Sequence, residues 1–147
     1  MPESILFFIA PACRLDSFSA HQVLFEGLAY PTAEHAYQAA KFSDPLVKEQ
    51  IRTAGSPWLA KVIAHTAKPK IDPNRYERKL ELMEMVFRAK LEQHEDVRAF
   101  LRMTGDAILQ EANSEDAYWG IGPDGQGENW TGRIWMKIRQ DLAAKAS

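Results

Sequence analysis

The order of apolar and polar residues along the chain predicts mostly helices. Three pairs of a capping residue followed by proline mark helix starts, because proline fits the first helical position: Asp44-Pro45, Ser56-Pro57 and Asp72-Pro73. After the third pair, Leu80, Met83, Phe87 and Leu91 recur at helical spacing, which predicts one long helix packed on a core. Two further helices are predicted at 96–103 and 134–144, with a short strand or helical turn at 107–109.

Short β-prone runs precede these helices. Residues 5–9 form an apolar run that ends at Pro11, and residues 22–25 and 28–30 flank a turn at Glu26-Gly27. Together with the length of 147 residues, this predicts a mainly α fold, with residues 1–147 as a single compact multihelical domain carrying a small N-terminal β element.

The helix predicted after Thr32 carries the most side-chain chemistry. Thr32 is a favourable N-cap residue, and the alanine-rich stretch that follows favours a helix. Glu34, Gln38 and Lys41 then project from one side, with Tyr37 beside them. A surface helix whose Glu–Lys stripe faces water is the alternative interpretation.

Composition excludes several classes of protein. The net charge is −2 with a pI of about 6.1, so no overall field attracts nucleic acid or an anionic membrane. Cys13 is the single cysteine, which rules out an intramolecular disulfide and suits a cytoplasmic protein. No run is long enough to span a membrane. The four histidines lack partners at metal-ligand spacing, so we expect no metal site.

Two further stretches are candidates for ligand binding. A basic cluster suits a phosphate group, although solvated surface charge is the usual explanation; it comprises Lys61, His65, Lys68, Lys70, Arg75 and Arg78. A segment at 111–133 is rich in glycine, which indicates unusual backbone angles or close approach to a ligand. A purely structural loop remains the alternative there.

The helix after Thr32 and the glycine-rich segment carry two motifs that resemble one family, and the resemblance extends over nearly the whole chain. The first motif is Tyr30-Pro31-Thr32-x-Glu34-His35-x-Tyr37-Gln38-Ala39-x-Lys41-Phe42. The second is Thr104-x4-Leu109-x-Glu111-x4-Asp116-x2-Trp119-Gly120-x-Gly122-x2-Gly125-x-Gly127-x-Asn129, continued by Gly132-x3-Met136-x2-Arg139. The chain is similar to the YbiA-like, or NADAR, domain family.

This resemblance implies an N-glycosidase with a mainly helical fold. Members of the family act on ribosylamino pyrimidine phosphates, intermediates of riboflavin synthesis, or remove ADP-ribose from guanine bases, including those of modified nucleic acid. Both substrates join ribose C1 to an exocyclic nitrogen, and neither needs a cofactor. The sequence departs from the family pattern at three places: Ser17 stands where the family often has asparagine, Arg75 where it tends to have tryptophan, and Lys90-Leu91 where Lys-Phe is common. The first two bear on which base or phosphate is accepted.

The chemistry of this reaction suggests a role for each residue. Cleavage of a ribosyl C–N bond requires an acid at the leaving nitrogen and stabilisation of C1, which suits the carboxylates of Glu34 and Asp116. Lys41 is expected either to form a Schiff base with C1 or to pair with Glu34 or a phosphate. The residues expected to bind substrate are Tyr37 and Trp119 by stacking on the base, together with Gln38, Arg75, Gly120, Gly122 and Asn129.

Two other classes of function remain open at this point. A non-catalytic module that binds ADP-ribose or a nucleotide would use the same loop and aromatic residues, but it would not need Glu34, Lys41 and Asp116 together. A structural helical module that docks a protein partner is the third possibility. The sequence leaves the oligomeric state undetermined.

Overall fold

The computed structural model describes residues 3–7 and 12–145, and most of its regular structure is helical. The predicted mainly α fold is confirmed. In chain order the elements are β1 (Ser4–Leu6), β2 (Val23–Phe25), β3 (Leu28–Tyr30), α1 (Ala33–Ala40), α2 (Pro45–Arg52), α3 (Pro57–Thr66), α4 (Pro73–Glu77), α5 (Lys79–Gln93), α6 (Glu95–Met103), β4 (Ile108–Gln110) and α7 (Trp130–Lys145). Short 3₁₀ turns lie at Ala12–Leu15 and Lys68–Lys70.

The chain divides into two compact units, one of residues 17–93 and one of residues 1–16 with 94–147. In the first unit, β2 and β3 form an antiparallel hairpin in which Val23 faces Tyr30. Its turn is Glu26-Gly27, as predicted, and both residues adopt positive φ, of 50° and 82°. The hairpin leads directly into α1.

Helix α1 is the buried centre of this first unit. It packs against α2, α3 and α5, and all eight of its residues are buried. The Thr32 hydroxyl caps it by accepting the His35 backbone N–H at 3.2 Å. The caps predicted at Asp44 and Ser56 also form, each accepting a backbone N–H of the first turn of α2 or α3. A stripe facing water is therefore the wrong interpretation of α1.

The long helix predicted after Asp72-Pro73 is two helices, so that prediction is wrong. The Arg78 N–H bonds Arg75 O, three residues back, which closes α4 as a tight turn. The Leu82 N–H then bonds Arg78 O, and α5 continues from there. The proline pair marks the start of α4, whereas the apolar spacing belongs to α5.

In the second unit, β1 pairs in parallel with β4, with Ile5 facing Leu109. The predicted N-terminal sheet is therefore two separate two-stranded sheets among the described residues, and β1 has its partner a hundred residues away. Residues 8 and 9 of the strand predicted at 5–9, and Pro11 after it, lie outside the described residues.

Helix α7 packs on β4, and its fully buried Trp135 donates from Nε1 to Leu15 O at 2.7 Å. The helix begins at Trp130, four residues before the predicted start at 134. Within the described ranges, no helix is long and apolar enough to cross a bilayer. The assignment of residues 1–147 to one domain stays a prediction.

Candidate active site

Glu34 lies in the first turn of α1 and is 6% exposed. The Ser17 hydroxyl donates to Oε1 at 3.0 Å, and Gln38 Nε2 donates to Oε2 at 2.9 Å. The Glu34 backbone N–H also bonds Ser17 O at 2.9 Å, which anchors the segment before β2 to the helix. Each carboxylate oxygen therefore has one neutral donor and retains a free lone pair. This arrangement holds the carboxylate in one orientation with capacity for a ligand.

Lys41 forms the C-terminal cap position of α1, two turns after Glu34. Its Nζ lies 5.5 Å from the centre of the Tyr37 ring. Burial lowers the pKa of the Lys41 amine below its ordinary value of 10.5. Glu34 opposes that change in pKa, whereas Lys61 and Lys79 add to it. The neutral, nucleophilic form of the amine is consequently more accessible than in an exposed lysine.

Three other side chains fix the ends of α1. His35 is 1% exposed and bridges Thr32 Oγ1 at 2.8 Å and Ala54 O at 3.0 Å. The Lys48 amine donates to Ala39 O and Phe42 O, at 2.9 and 3.0 Å, and so caps the C-terminal carbonyls. The Arg75 guanidinium donates to Ala40 O at 3.1 Å. Glu34 and Lys41 thus project from a helix that is held at both ends.

Half of the basic cluster is engaged with acidic groups. Arg75 contacts Glu26 at 3.4 Å, Lys70 contacts Asp44 at 3.8 Å, and Arg78 pairs with Glu81. Lys61 is exposed, with its amine 5.9 Å from the Trp58 ring. That a phosphate binds to Arg75 stays a prediction, although the guanidinium already contacts the end of α1.

The glycine-rich segment belongs to the second unit and is held together by its own hydrogen bonds. Asp116 is half-buried, and its Oδ1 accepts the backbone N–H groups of Tyr118 and Trp119 at 2.9 and 2.8 Å. The half-buried Trp119 ring makes an edge contact with Tyr118 at 5.1 Å between centroids. The carboxylate therefore sets the turn that presents Trp119.

The glycines of this segment leave room for other atoms of the same segment to pack against the backbone. A Cβ at Gly120 would lie 2.9 Å from Glu111 Oε2, and one at Gly122, where φ is 72°, would lie 2.9 Å from Ala117 Cβ. Asn129 also adopts positive φ, of 55°, and its amide bonds Glu111 N and Leu109 O, both at 2.9 Å. These contacts give the glycines and Asn129 a structural role. Their proposed contact with a ligand stays a prediction.

The structure thus brings four of the predicted site residues together on α1: Glu34, Tyr37, Gln38 and Lys41. The Tyr37 ring is 4% exposed, so stacking on a base also stays a prediction. The remaining predicted residues belong to the second unit, apart from Arg75: Asp116, Trp119, Gly120, Gly122 and Asn129. In the sequence, Ser17 stands out only as a departure from the family pattern, and local pattern does not predict its contact with Glu34 because 17 residues separate the two in the chain. The sequence does offer one signal for this contact: Ser17 replaces the family's usual asparagine with another hydrogen-bond donor.

A buried carboxylate and a lysine of lowered pKa lie two turns apart on the same helix, and together they suit acid–base or imine chemistry at a sugar carbon. The NADAR domain model matches residues 7–143, so the chain belongs to the NADAR domain family. It is similar to the N-glycosidase YbiA of Escherichia coli strain K12, at 38% identity over 86% of this chain and 79% of that protein. The NMR structure of E. coli YbiA matches with a TM-score of 0.89 and 34% identity, covering 99% of this chain and 89% of that one.

A riboflavin biosynthesis protein of Vibrio vulnificus is 33% identical over 90% of this chain and 36% of its own length. The predicted family is therefore confirmed. The prediction of a hydrolase acting on N-glycosyl bonds is confirmed at the level of the family, whose similar members are named N-glycosidases.

Proposed function

We propose that this protein hydrolyses the bond between ribose C1 and the exocyclic nitrogen of ribosylamino pyrimidine phosphates. The observation that carries the proposal is the pair on α1: Glu34, buried and oriented by two neutral donors, and Lys41, whose pKa is lowered by burial. The name of the Vibrio vulnificus relative, a riboflavin biosynthesis protein, supports a pyrimidine of that pathway as the base.

The proposed reaction uses Lys41 as a nucleophile. A ribosylamine opens to an imine between C1 and the nitrogen of the base. The neutral Lys41 amine then adds to C1, and one of its protons passes through the Glu34 carboxylate to the nitrogen of the base. The second proton of the lysine nitrogen takes the same route, the C1–N bond to the base breaks, and the base leaves as a free amine with Lys41 joined to C1 as an imine. The resulting imine between Lys41 and C1 is hydrolysed by water, which releases ribose 5-phosphate and restores the lysine. One water is consumed in the whole cycle.

Glu34 accepts each proton from the lysine nitrogen and passes it to the nitrogen of the base in this scheme. The two hydrogen bonds from Ser17 and Gln38 keep its carboxylate oriented between the two transfers. We keep Asp116 as a second carboxylate of the reaction on the strength of the family motif, with Trp119 as the residue that stacks on the base. Substitution of Asp116 by asparagine tests that role separately, because asparagine retains an oxygen to accept the N–H groups of Tyr118 and Trp119.

The direct test is an assay of the purified protein on two substrates in parallel, a ribosylamino pyrimidine phosphate and an ADP-ribosylated guanine oligonucleotide. We expect release of ribose 5-phosphate from the first. Recovery of unmodified guanine from the second alone would instead make the protein an ADP-ribosyl glycosidase acting on nucleic acid. Binding of ADP-ribose without turnover of either substrate would contradict catalysis and favour a nucleotide-binding module.

Ser17→Ala is expected to lower kcat by about tenfold, because Glu34 loses a charge-assisted hydrogen bond. Ser17→Asn is the matched control: its amide also donates, so it should retain most of the activity. Steady-state kinetics of the two variants give the comparison. Equal activity of Ser17→Ala and the wild type would show that this contact does not orient the carboxylate during the reaction.

A further inference from the structure

Gln38 has a buried acceptor that nothing in the described part of the chain satisfies. Its side chain is 5% exposed, and Nε2 donates to Glu34 Oε2 at 2.9 Å, while Oε1 has no hydrogen-bond partner and almost no solvent exposure. The orientation of the amide follows from Glu34, because a carboxylate needs a donor and the reverse orientation would place two acceptors face to face. Buried polar atoms are nearly always paired, so an unpaired one in a candidate site indicates a missing donor.

The missing partner must bring a hydrogen-bond donor to Gln38 Oε1. A phosphate group offers acceptors and does not fit. The hydroxyls of a ribose offer donors, and they are common to both classes of substrate that the family resemblance suggests, whereas the bases differ.

We propose that Gln38 Oε1 accepts a hydrogen bond from the 2-hydroxyl of the ribose, so that the site selects ribose over 2-deoxyribose. This inference rests on the proposed function, since it places C1 at Lys41. Lys41 follows Gln38 by three residues, so the two side chains lie on the same side of the helix about one turn apart, and the hydroxyl next to C1 falls to Gln38. Because Oε1 has almost no solvent exposure, the atoms that cover it must move to admit the sugar.

The test compares a ribosylamino pyrimidine phosphate with its 2-deoxyribosyl analogue, using the wild type and Gln38→Met. Each kcat/KM is divided by the uncatalysed rate, because loss of the 2-hydroxyl by itself makes cleavage of the C–N bond easier. For the wild type we expect this rate enhancement to be about ten- to a hundredfold larger with ribose. Gln38→Met has similar volume and no acceptor oxygen, so the preference should shrink to within about threefold.

Equal enhancement of both substrates by the wild type would overturn the inference while the proposed function stands. The same holds if Gln38→Met retains the full preference. A Gln38→Met variant that shifts the pH profile of kcat but keeps the preference would show that Oε1 instead holds the Lys41 amine. Urea unfolding of the variant shows whether it folds, and the wild-type comparison does not depend on it.

If the wild type hydrolyses neither substrate, the proposed function fails and binding decides the inference. Calorimetry with ribose 5-phosphate and 2-deoxyribose 5-phosphate then measures the preference directly. Tighter binding of ribose 5-phosphate, lost in Gln38→Met, would support the contact between Gln38 and the 2-hydroxyl. Equal affinity, or no binding of either sugar, would overturn it.

Discussion

Lys41→Met is expected to lower kcat on a ribosylamino pyrimidine phosphate by about 1,000-fold or more, with the fold retained. The change removes the proposed nucleophile and leaves an apolar side chain of similar length at a half-buried position. Because Lys41 lies at the end of α1 beside the Tyr37 ring, methionine keeps that packing. Steady-state kinetics and urea unfolding of the same preparation separate lost chemistry from lost structure.

A covalent intermediate gives the same prediction a second measurement. Borohydride added during turnover should reduce the imine and leave a ribose 5-phosphate adduct on Lys41, located by mass spectrometry of peptides. Lys137→Met is the matched control, since Lys137 is an exposed lysine of α7 and its loss should leave both turnover and the adduct unchanged. A Lys41→Met protein that keeps more than about a tenth of the wild-type kcat would exclude the covalent route.

The lowered pKa of Lys41 also fixes the direction of two pH effects. kcat should rise with pH as the amine loses its proton, with a midpoint below the ordinary value of 10.5. The effect of this charge on the free energy of unfolding is opposite in sign to that of a favourable ion pair. The folded state binds this proton less well than the unfolded chain, so the charged amine costs stability at neutral pH, and that cost declines as pH rises. Lys41→Met should therefore be no less stable than the wild type at neutral pH.

Local chemistry in the sequence predicts most of the helices, including α1. Prolines after capping residues and the cap at Thr32 are local signals, and the corresponding helix starts are confirmed. The break at Arg78 is not visible in the sequence, because no glycine or proline marks it and the interruption depends on one tightened backbone turn. The pairing of β1 with β4 is not predictable for another reason. It joins segments about a hundred residues apart, whereas hydrophobic periodicity carries information on nearby residues only.

The candidate site shows the same division between local and distant information. Helical spacing placed Glu34 and Gln38 on one face, and the 2.9 Å bond between them follows from that spacing. It could not indicate that Ser17 completes the carboxylate's partners, nor that Lys48 and Arg75 hold the end of the helix, because those contacts depend on the tertiary fold. In the glycine-rich segment, the sequence predicts that some group lies close to the glycine backbone. The structure shows that atoms of the same segment lie there.

The start of α7 depends on Gly132 having no side chain. A Cβ there would overlap Leu109 O, a backbone atom of β4, and would lie 2.7 Å from Asn129 Oδ1. The Asn129 amide is itself fixed by bonds to Glu111 N and Leu109 O, so neither neighbour can move without breaking the connection between β4 and α7.

Gly132→Ala is therefore expected to lower the free energy of unfolding by about 3 kcal/mol or more, measured by urea denaturation. Gly55→Ala is the matched control, because a Cβ at Gly55 meets nothing within 4 Å and its backbone is not in the left-handed region. We expect that variant to stay within about 0.5 kcal/mol of the wild type. Equal stability of the two variants would mean that β4 and the first turn of α7 separate easily. The contacts of the Asn129 amide would then contribute little to the fold, and Asn129 would be left available for the ligand contact predicted from its motif.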